Sequence, residues 1–159
     1  MIEKQINRKY LRSFLNNLRK EDFEEVRMFD TDDLIQEILN VANNPVNKTY
    51  FLMTNENNPL AIGGACSVQN SKYKTAKVWL LVTNEISSSK KSLLKYVLNK
   101  ANSFKNKYDI LFNFIYKSNY NSLKWLKKAG FKVLNFNNDY KLFYFIKGDI
   151  KFDLRYFTS

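Results

Sequence analysis

The sequence predicts an α+β fold, a single domain over residues 1–159 with a central mixed, mostly antiparallel sheet and helices on both faces. Three observations lead there. Apolar residues recur at helical spacing through the first forty positions. The period then changes, and strand-like runs separated by turn residues occupy Thr49 to Thr83. Finally, a strand, a helix and a strand follow one another from Lys77 to Tyr116, the order of a right-handed parallel crossover. A length of 159 residues, 45% of them apolar and 16% aromatic, suits one globular domain with its own core.

Each element has a local cause. Tyr10, Leu11, Phe14, Leu15 and Leu18 predict one short helix, and Phe23, Val26 and Phe29, after Lys20-Glu21-Asp22, predict a second. Asp30 or Thr31 can cap a third helix carrying Leu34, Ile35, Ile38, Leu39 and Ala42, which stops near Asn43-Asn44-Pro45. Strands are predicted over Thr49 to Thr54 and Leu60 to Val68, with a turn at Asn55 to Pro59. Gly63-Gly64 marks a bulge or a close backbone approach. Lys77 to Thr83 is apolar without alternation, as in a central strand covered on both faces. Residues 89–107 read as a helix with Leu93, Leu94, Val97, Leu98, Ala101 and Phe104 on one face and lysines mostly off it. Ile110 to Tyr116 is a strand. Asn121 to Ala129 is a short helix that Gly130 ends, with Phe131 folding back onto its last turn. Phe131 to Phe136 and Lys141 to Ile146 pair through a turn at Asn137-Asn138-Asp139, and Lys151 to Tyr156 is read as a further strand.

The scarce residues exclude whole classes of chemistry. The chain has no histidine and one cysteine, Cys66. Ser-His-Asp and Cys-His nucleophiles, histidine metal sites, internal disulfides and cysteine-cluster zinc sites are therefore ruled out. Its four glycines, Gly63, Gly64, Gly130 and Gly148, cannot be fitted to a dinucleotide-binding or Walker-type loop. No apolar run approaches the roughly 20 residues that span a bilayer. A soluble protein of the cytoplasm is expected.

The formal charge of +11 is uneven. Residues 1–39 hold 7 basic and 9 acidic groups, residues 40–84 hold 4 and 1, and residues 85–159 hold 15 and 5. The cationic part suits an anionic partner, namely nucleic acid, a membrane surface or a phosphorylated small molecule, or it merely solvates a lysine-rich surface.

Two segments could carry chemistry. The strand Val78 to Thr83 leads through Asn84 and Glu85 to a helix start containing Ser87, Ser88, Ser89, Lys90 and Lys91. Free N–H groups there can bind an anion, or the serines only cap the helix. Glu85 is the one carboxylate flanking this loop and could act as a base, or it is a solvated loop residue. The second segment is Asn119 to Phe131, in which Asn119 follows a strand and opens a helix ending in Gly130-Phe131. Asp30-Asp32-Asp33 reads as a helix start that favours negative charge rather than as a cation site. Trp125, Tyr120 and Tyr116 amid lysines could stack on bases, or they belong to the core.

The order Asn119, Ser122, Gly130, Phe131 resembles the last strand–helix segment of the Gcn5-related N-acetyltransferase (GNAT) superfamily, and so does the order of elements along the chain. A closer resemblance covers residues 59–146, through Pro59-Leu60-Ala61-Ile62-Gly63-Gly64, Trp79, Val82-Thr83, Tyr108-Asp109, Leu111, Asn113, Asn119, Leu126-Lys127 and Gly130. These blocks are similar to GNAT-like internal virion or virion-assembly proteins of short-tailed, autographivirus-type phages. The superfamily resemblance implies an acyl-CoA, such as acetyl-CoA, between strand Val78–Thr83 and strand Ile110–Tyr116. Its pantetheine would pair with Leu81, Val82 and Thr83, its pyrophosphate would lie near Ser87 to Lys91, and Asn119 would contact coenzyme A. No metal is implied.

Two departures bear on activity. The superfamily's pyrophosphate loop carries glycines, and here no glycine occurs between Gly64 and Gly130. Its tyrosine acid, seven residues after the Asn, is Leu126, which cannot protonate a thiolate. Three functions follow as alternatives: an acyl-CoA-dependent N-acyltransferase, a non-catalytic phage virion morphogenesis protein acting on virion or host proteins, and a nucleic-acid binder using the basic half. The phage reading places the protein in the host cytoplasm, with association to the virion.

Overall fold

A computed structural model describes residues 1–158. The elements run β1 (Ile2–Lys4), α1 (Arg8–Asn16), α2 (Lys20–Val26), α3 (Thr31–Asn43), β2 (Lys48–Met53), β3 (Pro59–Ser67), β4 (Thr75–Val82), α4 (Ile86–Lys107), β5 (Ile110–Tyr116), α5 (Tyr120–Lys128), β6 (Lys132–Asn135) and β7 (Tyr140–Ile146), closed by a 3₁₀ turn at Leu154–Tyr156. The strands form one sheet in the order β1-β2-β3-β4-β5-β7-β6. β4 and β5 pair in parallel, and β1–β2, β2–β3, β5–β7 and β6–β7 pair antiparallel, so the sheet is mixed as the sequence predicts. The residues group into two compact units, one of Met1–Cys66 with Trp79–Leu93 and one of Ser67–Val78 with Leu94–Ser159.

In the first unit α1 and α3 lay their apolar stripes on the sheet. Leu11, Phe14, Ile35 and Ile38 pack with Phe51, Met53 and Ile62, and Trp79 and Leu81 join from β4. Asn7 caps α1 and Asp30 caps α3, each accepting from main-chain N–H groups of the first turn. Gly64 sits opposite Thr49, where a Cβ would lie 1.9 Å from the Lys48 carbonyl oxygen, and a Cβ on Gly63 would lie 2.6 Å from that of Trp79. The glycine pair is therefore a close backbone approach, and the bulge falls instead at Leu52/Met53.

Two expectations fail here. Phe23 and Phe29 face solvent, and the buried residue of α2 is Asp22. Helical spacing fixes a period but not a phase, and ion pairing of Asp22 takes the inward position. β4 begins two residues earlier than expected and is not sealed on both faces, for Lys77 is exposed and Val78, Trp79, Leu80 and Leu81 are only half-buried. β1 has no sequence signal, since all three of its residues are exposed and only its pairing with β2 defines it.

In the second unit β5 is paired with β7 along its whole length, Ile110 opposite Ile146 through Tyr116 opposite Tyr140. Ile110, Phe112 and Leu142 form a core with Phe157. The α5 helix ends in a Schellman motif: Phe131 N–H donates to the Leu126 carbonyl, Gly130 N–H donates to that of Lys127, and Gly130 has φ +86. Phe131 then packs edge-on against Phe143. Asn137 Oδ1 accepts from the N–H groups of Asp139 and Tyr140, which turns the chain between β6 and β7. The segment read as a strand from Lys151 to Tyr156 is instead irregular through Asp153 and then a 3₁₀ turn. Asp153 caps that turn by accepting from Arg155 N–H, and Phe157 is drawn onto Phe112 with ring centroids 5.0 Å apart.

Candidate functional site

The expected site follows β4 and the start of α4. A strand presents the N–H and C=O of alternate residues to the same edge. Thr83 donates its main-chain N–H to the Leu60 carbonyl of β3, so Val82 and Asn84 turn to the other edge. That edge is already occupied. Arg19 N–H donates to the Val82 carbonyl at 3.0 Å, Asn84 N–H donates to the Asn17 carbonyl at 2.9 Å, and Leu18 bridges Thr83 antiparallel. Val82 N–H donates to Asp22 Oδ2 at 3.3 Å. The turn between α1 and α2 thus serves as a short extra strand against the end of β4.

A buried ion pair locks this turn. Arg19 Nε donates to Asp22 Oδ2, and the two side chains are 8% and 3% exposed. Glu21 lies 3.6 Å from the same guanidinium. Burial pushes the Asp22 carboxyl above the usual carboxylate range, against the opposing pull of Arg19 and the Val82 N–H.

Within the second unit the start of β4 pairs with β5. The parallel ladder pairs Thr75–Lys77 with Ile110–Phe112. Beyond it Asn113 Nδ2 donates to the Val78 carbonyl at 3.1 Å, and Phe114 N–H donates to Asn113 Oδ1 at 2.8 Å. Val82, the middle one of the three residues expected to pair with a pantetheine, thus has both of its main-chain groups engaged, by Arg19 and Asp22.

The remaining predicted residues are placed as follows. Leu81 is half-buried and packs on the α1–α3 cluster. Thr83 is fully buried, its hydroxyl donating to the Pro59 carbonyl at 2.7 Å and accepting from Glu85 N–H. Ser87 and Ser88 donate their hydroxyl protons to the carbonyls of Asn84 and Glu85. Ser89 has φ −132 and ψ 15, which breaks α4 after its first turn. Lys90 and Lys91 are exposed, while Ser88, Ser89 and Ser92 line a cavity of about 170 Å³ with Met1, Asn55 and Glu56. That is below the roughly 300 Å³ at which small-molecule pockets begin, and Glu56 places a carboxylate where a pyrophosphate would need cations. Asn119, 4% exposed, is the N-cap of α5, its Oδ1 accepting from Ser122 N–H at 3.2 Å. Trp125 belongs to the core, whereas Tyr120 is exposed.

Sequence reasoning singled out neither Arg19 and Asp22 nor Asn17 as part of this site. Nothing in Lys20-Glu21-Asp22 distinguishes a buried pair from an ordinary helix start. Asn113 did carry a signal, as the one polar residue inside the apolar run Ile110 to Tyr116.

Comparison with known proteins bears on fold and on family. A spermidine N-acetyltransferase from Vibrio cholerae, solved with CoA and spermine, superposes with a TM-score of 0.64 at 13% identity over 91% of this chain and 94% of its own. The Campylobacter jejuni N-acetyltransferase PseH, solved with acetyl coenzyme A, gives a TM-score of 0.59 at 14% identity over 92% of this chain and 99% of its own. The fold is that of N-acetyltransferases. No curated protein matches the sequence. The family model described as bacteriophage T7 probable scaffold protein Gp13 matches residues 49–141, more than half of the chain.

Proposed function

The chain belongs to the bacteriophage T7 probable scaffold protein Gp13 family, and from that premise we propose that it is a phage assembly protein that uses an N-acetyltransferase fold for protein contacts rather than for acyl transfer. One observation carries this reading. Both main-chain groups of Val82, the central partner expected for a pantetheine, are bonded to Arg19 and Asp22. Releasing them would take a main-chain donor from the buried Asp22 carboxylate and break the main-chain bond from Arg19 N–H, at a cost of about 1–3 kcal/mol. The lack of a glycine between Gly64 and Gly130, and Leu126 in place of a tyrosine, support the same conclusion. The protein then works in the host cytoplasm on virion or host proteins, and its fold is a scaffold in the literal sense.

A second reading, an acyl-CoA-dependent N-acyltransferase, is favoured by the fold neighbours, two of which were solved with CoA or acetyl coenzyme A. In that case Glu85 is the candidate base, and the exposed Lys90 and Lys91 are candidate pyrophosphate ligands.

Calorimetric titration with acetyl-CoA, with free CoA and ADP as controls, separates the two. No saturable binding tighter than about 100 μM, equivalent to about −5.5 kcal/mol, is expected. Tighter binding that is lost on charge reversal at Lys90 and Lys91 would replace the assembly reading with the enzymatic one.

A further inference from the structure

Charge is segregated between the two compact units. The unit of Met1–Cys66 with Trp79–Leu93 holds 10 basic and 11 acidic residues, whereas the unit of Ser67–Val78 with Leu94–Ser159 holds 16 and 4. Within the second unit the helices carry none of the acidic residues. From Leu94 to Lys107 α4 has four lysines and no carboxylate, and α5 has three lysines and no carboxylate. The four acidic residues lie elsewhere. Asp109 accepts from Lys74 N–H, Asp139 and Asp149 stand in the bends and turns flanking β7, and Asp153 is paired with Arg155.

The α5 helix gathers this charge on one side. Lys124, Lys127 and Lys128, with Tyr120 one turn earlier, recur at three- and four-residue spacing, and all four are exposed. Leu123 and Trp125 are buried in the core instead. No carboxylate pairs with the three lysines among the described residues. Like charges at that spacing destabilise a helix, and only the helix dipole favours them in the last turn. The end of α4 lies alongside, since Lys105 donates to the Ala129 carbonyl just past α5. The acid-free parts of the two helices therefore meet there.

We propose that the outer side of α5 binds the phosphodiester backbone of a nucleic acid. A helix that lies on a membrane buries an apolar face in the lipid, and a stable protein interface has an apolar core. The exposed side of α5 offers neither, because its one large apolar side chain is Tyr120, 70% exposed. Backbone binding needs only closely spaced cations that displace counterions, and an aromatic ring beside them can stack on an unpaired base. The inference does not depend on whether the protein is an assembly factor or an acyltransferase.

Fluorescence anisotropy of the full chain with labelled single-stranded and duplex DNA of about 20 nucleotides tests it. At about 50 mM salt at least one probe should bind in the micromolar range, and three phosphate contacts should cost about 20- to 40-fold in affinity by about 200 mM. Lys124→Gln with Lys127→Gln and Lys128→Gln should weaken binding at least about tenfold at low salt and remove most of the salt dependence. Arginine at the same three positions should bind as the wild type does. Lys4→Gln with Lys9→Gln and Lys20→Gln removes equal charge from the other unit and should leave binding intact. If the α5 glutamine variant loses its helical circular dichroism, Lys124→Gln alone replaces it and should lower the salt slope by about one. No binding of either probe at low salt overturns the proposal. So does an equal loss in the two glutamine variants, which would assign binding to net charge alone. Tighter binding to phosphatidylserine vesicles or to polyglutamate than to DNA would likewise overturn it and assign the helix to a membrane or an acidic protein.

Discussion

The carboxamide of Asn113 stands where the next rung between Val78 and Phe114 would be. Ile110 N–H donates to the Lys74 carbonyl. Steps of two along a parallel ladder then bring Phe112 to Ala76 and Phe114 to Val78. At that last step the side chain intervenes, accepting from Phe114 N–H at 2.8 Å and donating to the Val78 carbonyl at 3.1 Å. One side-chain amide thus satisfies both main-chain groups while replacing a direct rung. It lies where the ladder of Thr75–Lys77 with Ile110–Phe112 ends.

Asn113→Ala should therefore destabilise the protein by about 1–3 kcal/mol, the cost of two unsatisfied main-chain groups. Urea denaturation measures the loss, and hydrogen exchange should show the Phe114 amide losing protection. An unchanged midpoint together with a better-protected Phe114 amide would mean that the rung simply closes.

Breaking the Arg19–Asp22 pair should be more costly. Asp22→Ala leaves a guanidinium buried without its main partner and frees Val82 N–H, so a loss of about 3–5 kcal/mol is expected in denaturant unfolding. Acetyl-CoA calorimetry on that variant also shows whether the turn alone blocks the β4 edge.

The same carboxyl sets a pH dependence. Asp22 is raised in the folded state by desolvation, so the native protein holds this proton more tightly than the unfolded chain does, whose aspartates titrate near 3.9. Its contribution is fully present below that value and is lost as pH rises through the folded value. The stability difference between wild type and Asp22→Asn should shift against the wild type as pH increases across this acid window. A difference that is flat with pH would show that Arg19 fully offsets the burial.

Gly64→Ala places a Cβ 1.9 Å from the Lys48 carbonyl oxygen. Main chain cannot yield as a side-chain tip can, so β2 and β3 must part at Thr49, with a loss of at least about 3 kcal/mol. Gly148→Ala is the control, since its Cβ meets nothing within 4 Å and only its φ of +54 is strained, costing about 1–2 kcal/mol. Thermal unfolding of the two variants should differ accordingly.

Lys105 fastens the end of α5. Its ammonium donates to the Ala129 carbonyl and lies 5.6 Å from the Phe131 ring and 5.2 Å from that of Phe145. Lys105→Met keeps the stem and removes the charge, and should lower stability by about 1–2 kcal/mol. An unchanged melting temperature would show that the Schellman turn holds the helix end unaided.

What the sequence determined by itself was the part governed by local rules. Periodicity and caps located α1, α3 and α5, the turn at Asn137, the Gly130-Phe131 helix end and the strand–helix–strand crossover, because each depends on neighbours a few residues away. The helix and strand order was enough to show resemblance to an acetyltransferase scaffold, and the residue blocks between Pro59 and Gly130 to show resemblance to the phage proteins. Tertiary structure alone decided the phase of α2, the conversion of Lys151 to Tyr156 from strand to turn, and the state of the β4 edge. Those outcomes rest on Asp22 reaching Val82, 60 residues away, Phe157 reaching Phe112, and Asn113 reaching Val78. Each is a competition for a buried partner, and a single sequence carries no record of which contender reaches it.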